Sequence, residues 1–600
     1  MRIGPSPARV PTLLATLLAT LTVPLAAAAD ADPVPPALAR ALAWIPEDAV
    51  SFVAIPDLKR ASDDLGQLIE ASGQGGVLAM GRPIDFLKAQ FGVGASLDEK
   101  APLVAYFPSA AAPAAVDPAV AAAPPIPVLV VATGDADAFL AANFTPDPAA
   151  GADAHRTADG TLWHARRLDG RVALAPKPEW LPAAEMRGIG ERFDSRLLDA
   201  ERAWLERADF VAWGSRDAMH AAVEAARRAE LPEMTPPPGV DAPFAAGRAE
   251  QEALRQRSLE FADMLADGLV VVDADPLGLF VASLGVAEPG TRLASLLAGG
   301  DGRGARFAHL PPGDFYFALA ADLDGLGGAA KFGELLEVAG LVDFAPPAWM
   351  LADLADLSAV EFAAYPSKLG VAVGGALNDS ALHLASRAPA RTLASLERAI
   401  AAAAGESVGV RREPAWTKGK TLKSGDTADA FEVKETVFDA TQRPPLDYER
   451  VAKQFIVGSR GLLGLARATG DGVVVTFSQR PDVFGRALSA ATGGGSLAGD
   501  EVVTSIEEWL PASRDVEAMV SIGRLVGLAK QIAGSFVSKE QLATMFPPVD
   551  ADAEPIAFAL DVGGGRARTA FVVPARVLAI AASAGMRARS APAPAAGGEP

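Results

Sequence analysis

The sequence predicts an α+β protein with mainly antiparallel, twisted sheets and helices on one face, laid out as about two and a half repeats of one plan. Three observations lead there. A Leu/Ile-Pro step followed by one strand and one amphipathic helix occurs three times, at Trp44-Ile45-Pro46, His309-Leu310-Pro311 and Trp509-Leu510-Pro511. Paired apolar runs separated by Pro- or Gly-containing turns recur after these steps. Of the 600 residues, 50% are hydrophobic and 21% charged, which supplies several cores and is too apolar for a disordered chain.

In chain order, Arg2 and Arg9, the apolar run from Leu13 to Leu25 and Ala27-Ala28-Ala29 read as a signal peptide over residues 1–29. A run of about 13 residues falls short of the ~20 needed to span a bilayer. The mature chain is therefore expected in an exported compartment, periplasmic or secreted, with no transmembrane span. The first α+β unit covers 30–300. It opens with the strand Ala49–Ile55 and the helix Leu58–Ala71, because proline biases its predecessor towards extended backbone. The charged stretch Phe193–Ala229 and the segment Gln251–Ala266 read as a helical insertion over about 193–266. The second unit covers 301–500 and a partial third covers 501–586. Trp44 and Trp509 are expected to be buried at the strand entries.

Hairpins are expected at three places. Leu269–Val272 and Leu279–Leu284 flank Asp275-Pro276-Leu277-Gly278; Val360–Ala363 and Gly370–Val373 flank Pro366-Ser367-Lys368; Ile556–Leu560 and Ala567–Val573 flank Gly563-Gly564-Gly565. Asp169-Gly170 and Asp471-Gly472 mark two further reversals, each leading into a strand and then Lys177-Pro178 or Arg480-Pro481. Ala110–Pro127, Pro232–Ala246 and a tail at 587–600 are small-residue or Pro-rich and read as linkers or disorder.

The Leu/Ile-Pro entry of Trp44-Ile45-Pro46-Glu47-Asp48-Ala49-Val50 and the hairpin Leu279–Ala287 with its following Pro289-Gly290-Thr291 resemble those of large exported bacterial repeat proteins of unknown function. The resemblance implies an exported repeat protein and carries no catalytic residue. His309 and Trp509 occupy one motif position in different forms, which favours packing over chemistry.

The chain has no cysteine, so disulfides, thiol nucleophiles, cysteine-ligated zinc and iron–sulfur clusters are excluded. A net charge of -20 argues against a nucleic-acid partner. His155, His164, His220, His309 and His383 show no i,i+4 or H-x-H spacing, so a histidine metal site forms only by tertiary convergence. His155 and His164 straddle a strand and would approach one another across a turn at Asp159-Gly160. There is no G-x-S-x-G and no S-x-x-K. Gly419-Lys420-Thr421 ends like a phosphate loop, but Pro414 stands where its first glycine belongs. Gly325-x-Gly327-Gly328 is an incomplete dinucleotide motif. Asp550-x-Asp552-x-Glu554 with Asp561, and the pairs Asp273/Asp275 and Asp322/Asp324, offer oxygen ligands for calcium, with Pro555 where the loop needs glycine. No catalytic, cofactor or metal residue is assigned. The expected function is a non-catalytic exported protein that binds a hydrophobic ligand or an envelope partner. A structural scaffold of the cell envelope and a hydrolase with an acidic cleft are the alternatives.

Overall fold

A computed structural model describes residues 34–91, 96–109, 126–228, 252–253, 255–299, 304, 306–338, 354–407, 410–438, 455–459, 461–534, 536–546 and 549–581. The expected signal peptide, the Pro232–Ala246 segment, the tail and all but the end of Ala110–Pro127 lie outside them. No helix among the described residues is long and apolar enough to cross a membrane. The described residues form two compact units, those that fall within 1–299, 335–343 and 561–570, and those that fall within 300–334, 344–560 and 571–600.

Unit 1 contains β1 (Ser51–Ile55), β2 (Leu103–Phe107), β3 (Val128–Ala132), β4 (Thr145–Pro146), β5 (Ala154–Arg156), β6 (Leu162–Leu168), β7 (Arg171–Ala175), β8 (Phe210–Ser215), β9 (Leu265–Asp275) and β10 (Gly278–Ala287). They pair antiparallel throughout in the order β4-β5-β6-β7-β3-β2-β1-β8-β9-β10. Unit 2 contains β11 (Phe317–Asp322), β12 (Leu357–Ala364), β13 (Ala381–Ser386), β14 (Gly405–Ser407), β15 (Val410–Thr421), β16 (Thr427–Val437), β17 (Leu462–Ala468), β18 (Gly472–Thr476), β19 (Val516–Val520) and most of β20 (Ile556–Gly563). These are also antiparallel, in the order β14-β15-β16-β17-β18-β13-β12-β11-β19-β20. A last strand, β21 (Arg566–Pro574), follows. The α+β class is as expected.

Six central strands follow one order in both units, β7-β3-β2-β1-β8-β9 and β18-β13-β12-β11-β19-β20. Flanking backbone hydrogen bonds fix the correspondence residue by residue. Val50 N donates to Phe107 O and Ser215 N to Val50 O in unit 1; Tyr316 N donates to Ala364 O and Ser521 N to Tyr316 O in unit 2. Thr133 N donates to Gly170 O, and Ser386 N to Asp471 O. Asp209 N donates to Val272 O, and Asp515 N to Leu560 O.

Local chemistry explains the helices. The Asp57 side chain accepts from Arg60 N and caps helix 58–71, and Asp135 caps helix 136–143. Pro481 opens helix 481–491 at a position where its missing N–H costs nothing. Phe139 and Leu140 of helix 136–143 pack on Leu129, Val131, Val172 and Leu174. In unit 2, Leu393, Leu396 and Ile400 of helix 389–402 pack around Val473, Val475, Leu382 and Leu384. Strand alternation then turns His383 and Val474 to the opposite face. That face is covered as well, because His309 stacks on His383.

Four sequence readings change. Phe193–Ala229 is not continuous helix: Phe210-Val211-Ala212-Trp213 forms β8, a central strand, between helices 199–205 and 216–228. Gly370–Val373 is no hairpin arm. Gly370 and Gly375 take left-handed backbone (φ 72° and 78°) and bracket a single helical turn, so β12 pairs with β13 instead. Residues 501–560 lie within unit 2 rather than opening a third unit, because β19 pairs with β11 on one side and β20 on the other. Trp509-Leu510 lies before β19, as Trp204-Leu205 lies before β8, so this step belongs to the entry of the strand that matches β8 and not to the position of Trp44. Trp44 is buried, whereas Trp509 is only partly so.

Candidate metal centre

The site grows from one row of side chains across the unit 2 sheet. Register places Val474 (β18), His383 (β13), Glu361 (β12), Ala320 (β11), Glu517 (β19) and Ala559 (β20) opposite one another, hence on one face. The corresponding row of unit 1 is Ala173, Val130, Val104, Ala54, Val211 and Val271, aliphatic throughout and buried. One backbone arrangement thus carries valine in one copy and His383, Glu361 and Glu517 in the other. The fold itself does not require the polar groups.

His309 closes over this row. Its backbone N–H donates to Glu361 Oε2 at 2.8 Å, and its Nδ1 lies 2.5 Å from Glu361 Oε1. Its ring stacks on His383, with centroids 4.2 Å apart and planes 23° apart. Asp471 stands at the rim. Its Oδ2 is 3.7 Å from His309 Nε2 and its Oδ1 4.0 Å from His383 Nε2, and Thr469 Oγ1 donates to Oδ1. Glu361 and His383 are shut in, while the side chains of His309 and Asp471 are 31% and 57% exposed.

Three further equivalences separate the two units here. Ile189 N donates to Ile45 O, and Leu497 N to Leu310 O, so Trp44 corresponds to His309. Gly170 corresponds to Asp471 and Arg171 to Gly472. In unit 1 the Arg171 guanidinium lies over the Trp44 ring at 5.4 Å. In unit 2 a Cβ at Gly472 would fall 2.8 Å from His383 Nε2 and 2.4 Å from Leu384 O. A tryptophan–arginine stack over valines is thus replaced by two imidazoles and two carboxylates, with a glycine that clears room for one imidazole.

Electrostatics sorts the two histidines. The hydrogen bond with Glu361 raises the His309 pKa, against the opposing effect of burial, with the Glu361 and Asp471 charges adding to the rise. Burial, and then the His309 charge, push His383 down to about 4, so it is neutral at pH 7 with a lone pair available. Neither His383 nitrogen has a hydrogen-bond partner, although the residue is 1% exposed. A buried polar atom without a partner costs about 1–3 kcal/mol and points to an ion or water that completes it. Ligand atoms of His309, Glu361 and His383 lie within 4.8 Å of one another, the one such group among the described residues. If His309 gives up a proton on binding an ion, a hydrogen bond from its Nδ1 to Glu361 leaves Nε2 for that ion, the carboxylate–histidine arrangement that orients metal ligands. Two imidazoles beside two carboxyl groups offer nitrogen and oxygen donors that suit zinc and its neighbours.

The other sequence candidates do not assemble. His155 pairs across the ladder with Trp163, and His164 with Ala154, so the two histidines face opposite sides. His220 meets Asp263. Asp550 and Asp552 are ion-paired to Arg576 and Arg524, Asp273 to Arg207 and Asp324 to Arg387, while Asp322 accepts from Gly325 N. Gly419-Lys420-Thr421 ends β15, with no helix start for a phosphate. Gly327 and Gly328 form a left-handed turn into helix 329–338. The sequence reading did not bring His309, Glu361, His383 and Asp471 together as a candidate group. The available signal was a charged or imidazole residue inside an aliphatic strand, as in Val360-Glu361-Phe362 and Leu382-His383-Leu384. No protein-family model, curated protein or solved structure matches the chain.

Proposed function

We propose that the protein binds one divalent transition-metal ion in unit 2, with the His309 and His383 imidazoles as nitrogen ligands and Glu361 as the carboxylate that orients His309 and balances charge. The observation that carries this reading is His383, a buried imidazole with no hydrogen-bond partner on either nitrogen. The absence of such a row in unit 1 supports it, since the same strands pack there with valine. The reading keeps the exported, non-catalytic binding role expected from the sequence, with a cation in place of a hydrophobic ligand. Calorimetric titration of the metal-free full chain with Zn²⁺ tests it. One site per chain is expected, lost in His383→Val. A wild-type chain that takes up no Zn²⁺, or a His383→Val chain that binds as tightly, refutes it. Cell fractionation tests the location, and retention in the cytoplasm rejects export.

A further inference from the structure

We infer that the bound ion is exchangeable, entering and leaving through the cavity beside His309, with Asp471 as the ligand that captures it at the mouth. This rests on the metal-binding reading above. The four groups run from solvent inward: Asp471 is more than half exposed, His309 partly so, and Glu361 and His383 are closed off in the sheet. His309 and Asp471 line a cavity of about 440 Å³, together with Thr469, Gly470, Thr492 and Gly493. At roughly 30 Å³ per water, that volume admits an ion with a full shell of six.

The Asp471 oxygens stand 3.7 and 4.0 Å from the two Nε2 atoms, beyond hydrogen-bond reach and open to a bridging cation. Ala490 and Ala491 on another part of the wall end helix 481–491, so the negative end of that helix dipole faces the cavity. Asp471 and this helix terminus put negative potential at the mouth, beside the His309 ring. Phosphates and carboxylates are repelled, and a hydrated divalent cation is attracted. A structural zinc site is closed by four protein ligands and holds its fold together. Here one side is open, and unit 1 builds the same six strands with aliphatic residues in the row. The chemistry is that of a site that takes up a divalent cation and hands it on.

The test uses the full chain loaded with Zn²⁺ and mixed with a colorimetric chelator in a stopped-flow instrument. Wild type, Asp471→Asn and the cavity-wall control Thr492→Ser are compared, with affinity measured in parallel. The native wild type is expected to release its ion within seconds to minutes. Asp471→Asn should bind about 10–100-fold more weakly, with slower capture. Its metal-free unfolding midpoint should not change, because the side chain is exposed. Affinity and capture rates in Asp471→Asn equal to wild type overturn the proposal. So does an ion that the chelator reaches only after unfolding. A wild type that binds no Zn²⁺ overturns the underlying metal reading instead, so the two failures are distinguishable.

Discussion

Replacing Glu361 and His383 together by valine copies into unit 2 the residues that unit 1 carries as Val104 and Val130. Removing the imidazole relieves two buried, unpartnered nitrogens at about 1–3 kcal/mol each. Each added valine side chain gains about 1.5–3 kcal/mol of burial, partly offset by the apolar area the original side chains already bury. Against this, His309 loses two hydrogen bonds to Glu361, about 1 kcal/mol each, and its donors turn partly to water. The smaller side chains leave some empty volume, on the order of 1 kcal/mol. The net expectation for E361V/H383V is a metal-free protein about 1–3 kcal/mol more stable than wild type. Urea denaturation with a chelator present, followed by tryptophan fluorescence, measures it. In the same assay Zn²⁺ should raise the wild-type midpoint and leave that of the variant unmoved. A loss of more than about 2 kcal/mol would show that the polar pair holds the sheet together, and the argument from the two rows would be wrong.

Gly472→Ala forces its new Cβ against Leu384 O and His383 Nε2, and should cost about 1–3 kcal/mol by urea denaturation; an unchanged midpoint refutes the steric account. Burial pushes Glu517 up to about 7, despite Arg514 Nε at 2.7 Å. The folded state then holds a proton that the unfolded state, with its ordinary value near 4.5, has released. Stability from this group is present below about pH 4.5 and falls by about 3 kcal/mol as pH rises to 7. Glu517→Gln should flatten that part of the stability–pH curve, and an identical slope in the variant rejects the assignment. Trp44→Ala should cost about 3 kcal/mol and the half-buried Trp509→Ala about 1 kcal/mol by the same denaturation assay; equal losses contradict the burial difference.

Much of the fold was legible because its signals are local. Asp275-Pro276-Leu277-Gly278 turns β9 into β10 with Asp275 opposite Gly278, and Gly170 takes the left-handed backbone (φ 62°) that Asp169-Gly170 announced. β8 was hidden because Phe210–Trp213 lies between charged helical stretches whose spacing continues across it. The insertion of β19 beside β11 joins residues about 200 positions apart, and neither strand carries a mark of its partner. The site was hidden for the same reason. His309, Glu361, His383 and Asp471 come from a loop, two strands and a turn, and antiparallel register rather than sequence spacing brings them together. The strand that carries Glu361 was anticipated at Val360–Ala363; the face that these residues share was not, since it depends on pairings that no local pattern encodes.

Each sheet finishes at one side on a very short strand. In unit 1 it is β4, two residues of which one is Pro146, and in unit 2 it is β14, three residues long. Proline offers no N–H for a ladder, and so short a border exposes few backbone groups to an incoming chain. Next inward, β15 carries Arg411, Arg412, Lys418 and Lys420, with Pro414 in its midst. An invading strand would meet basic side chains and an N–H missing halfway along. These two borders are thus built against templated stacking of one copy on another, which matters for an aliphatic-rich chain whose strands are otherwise good seeds for it.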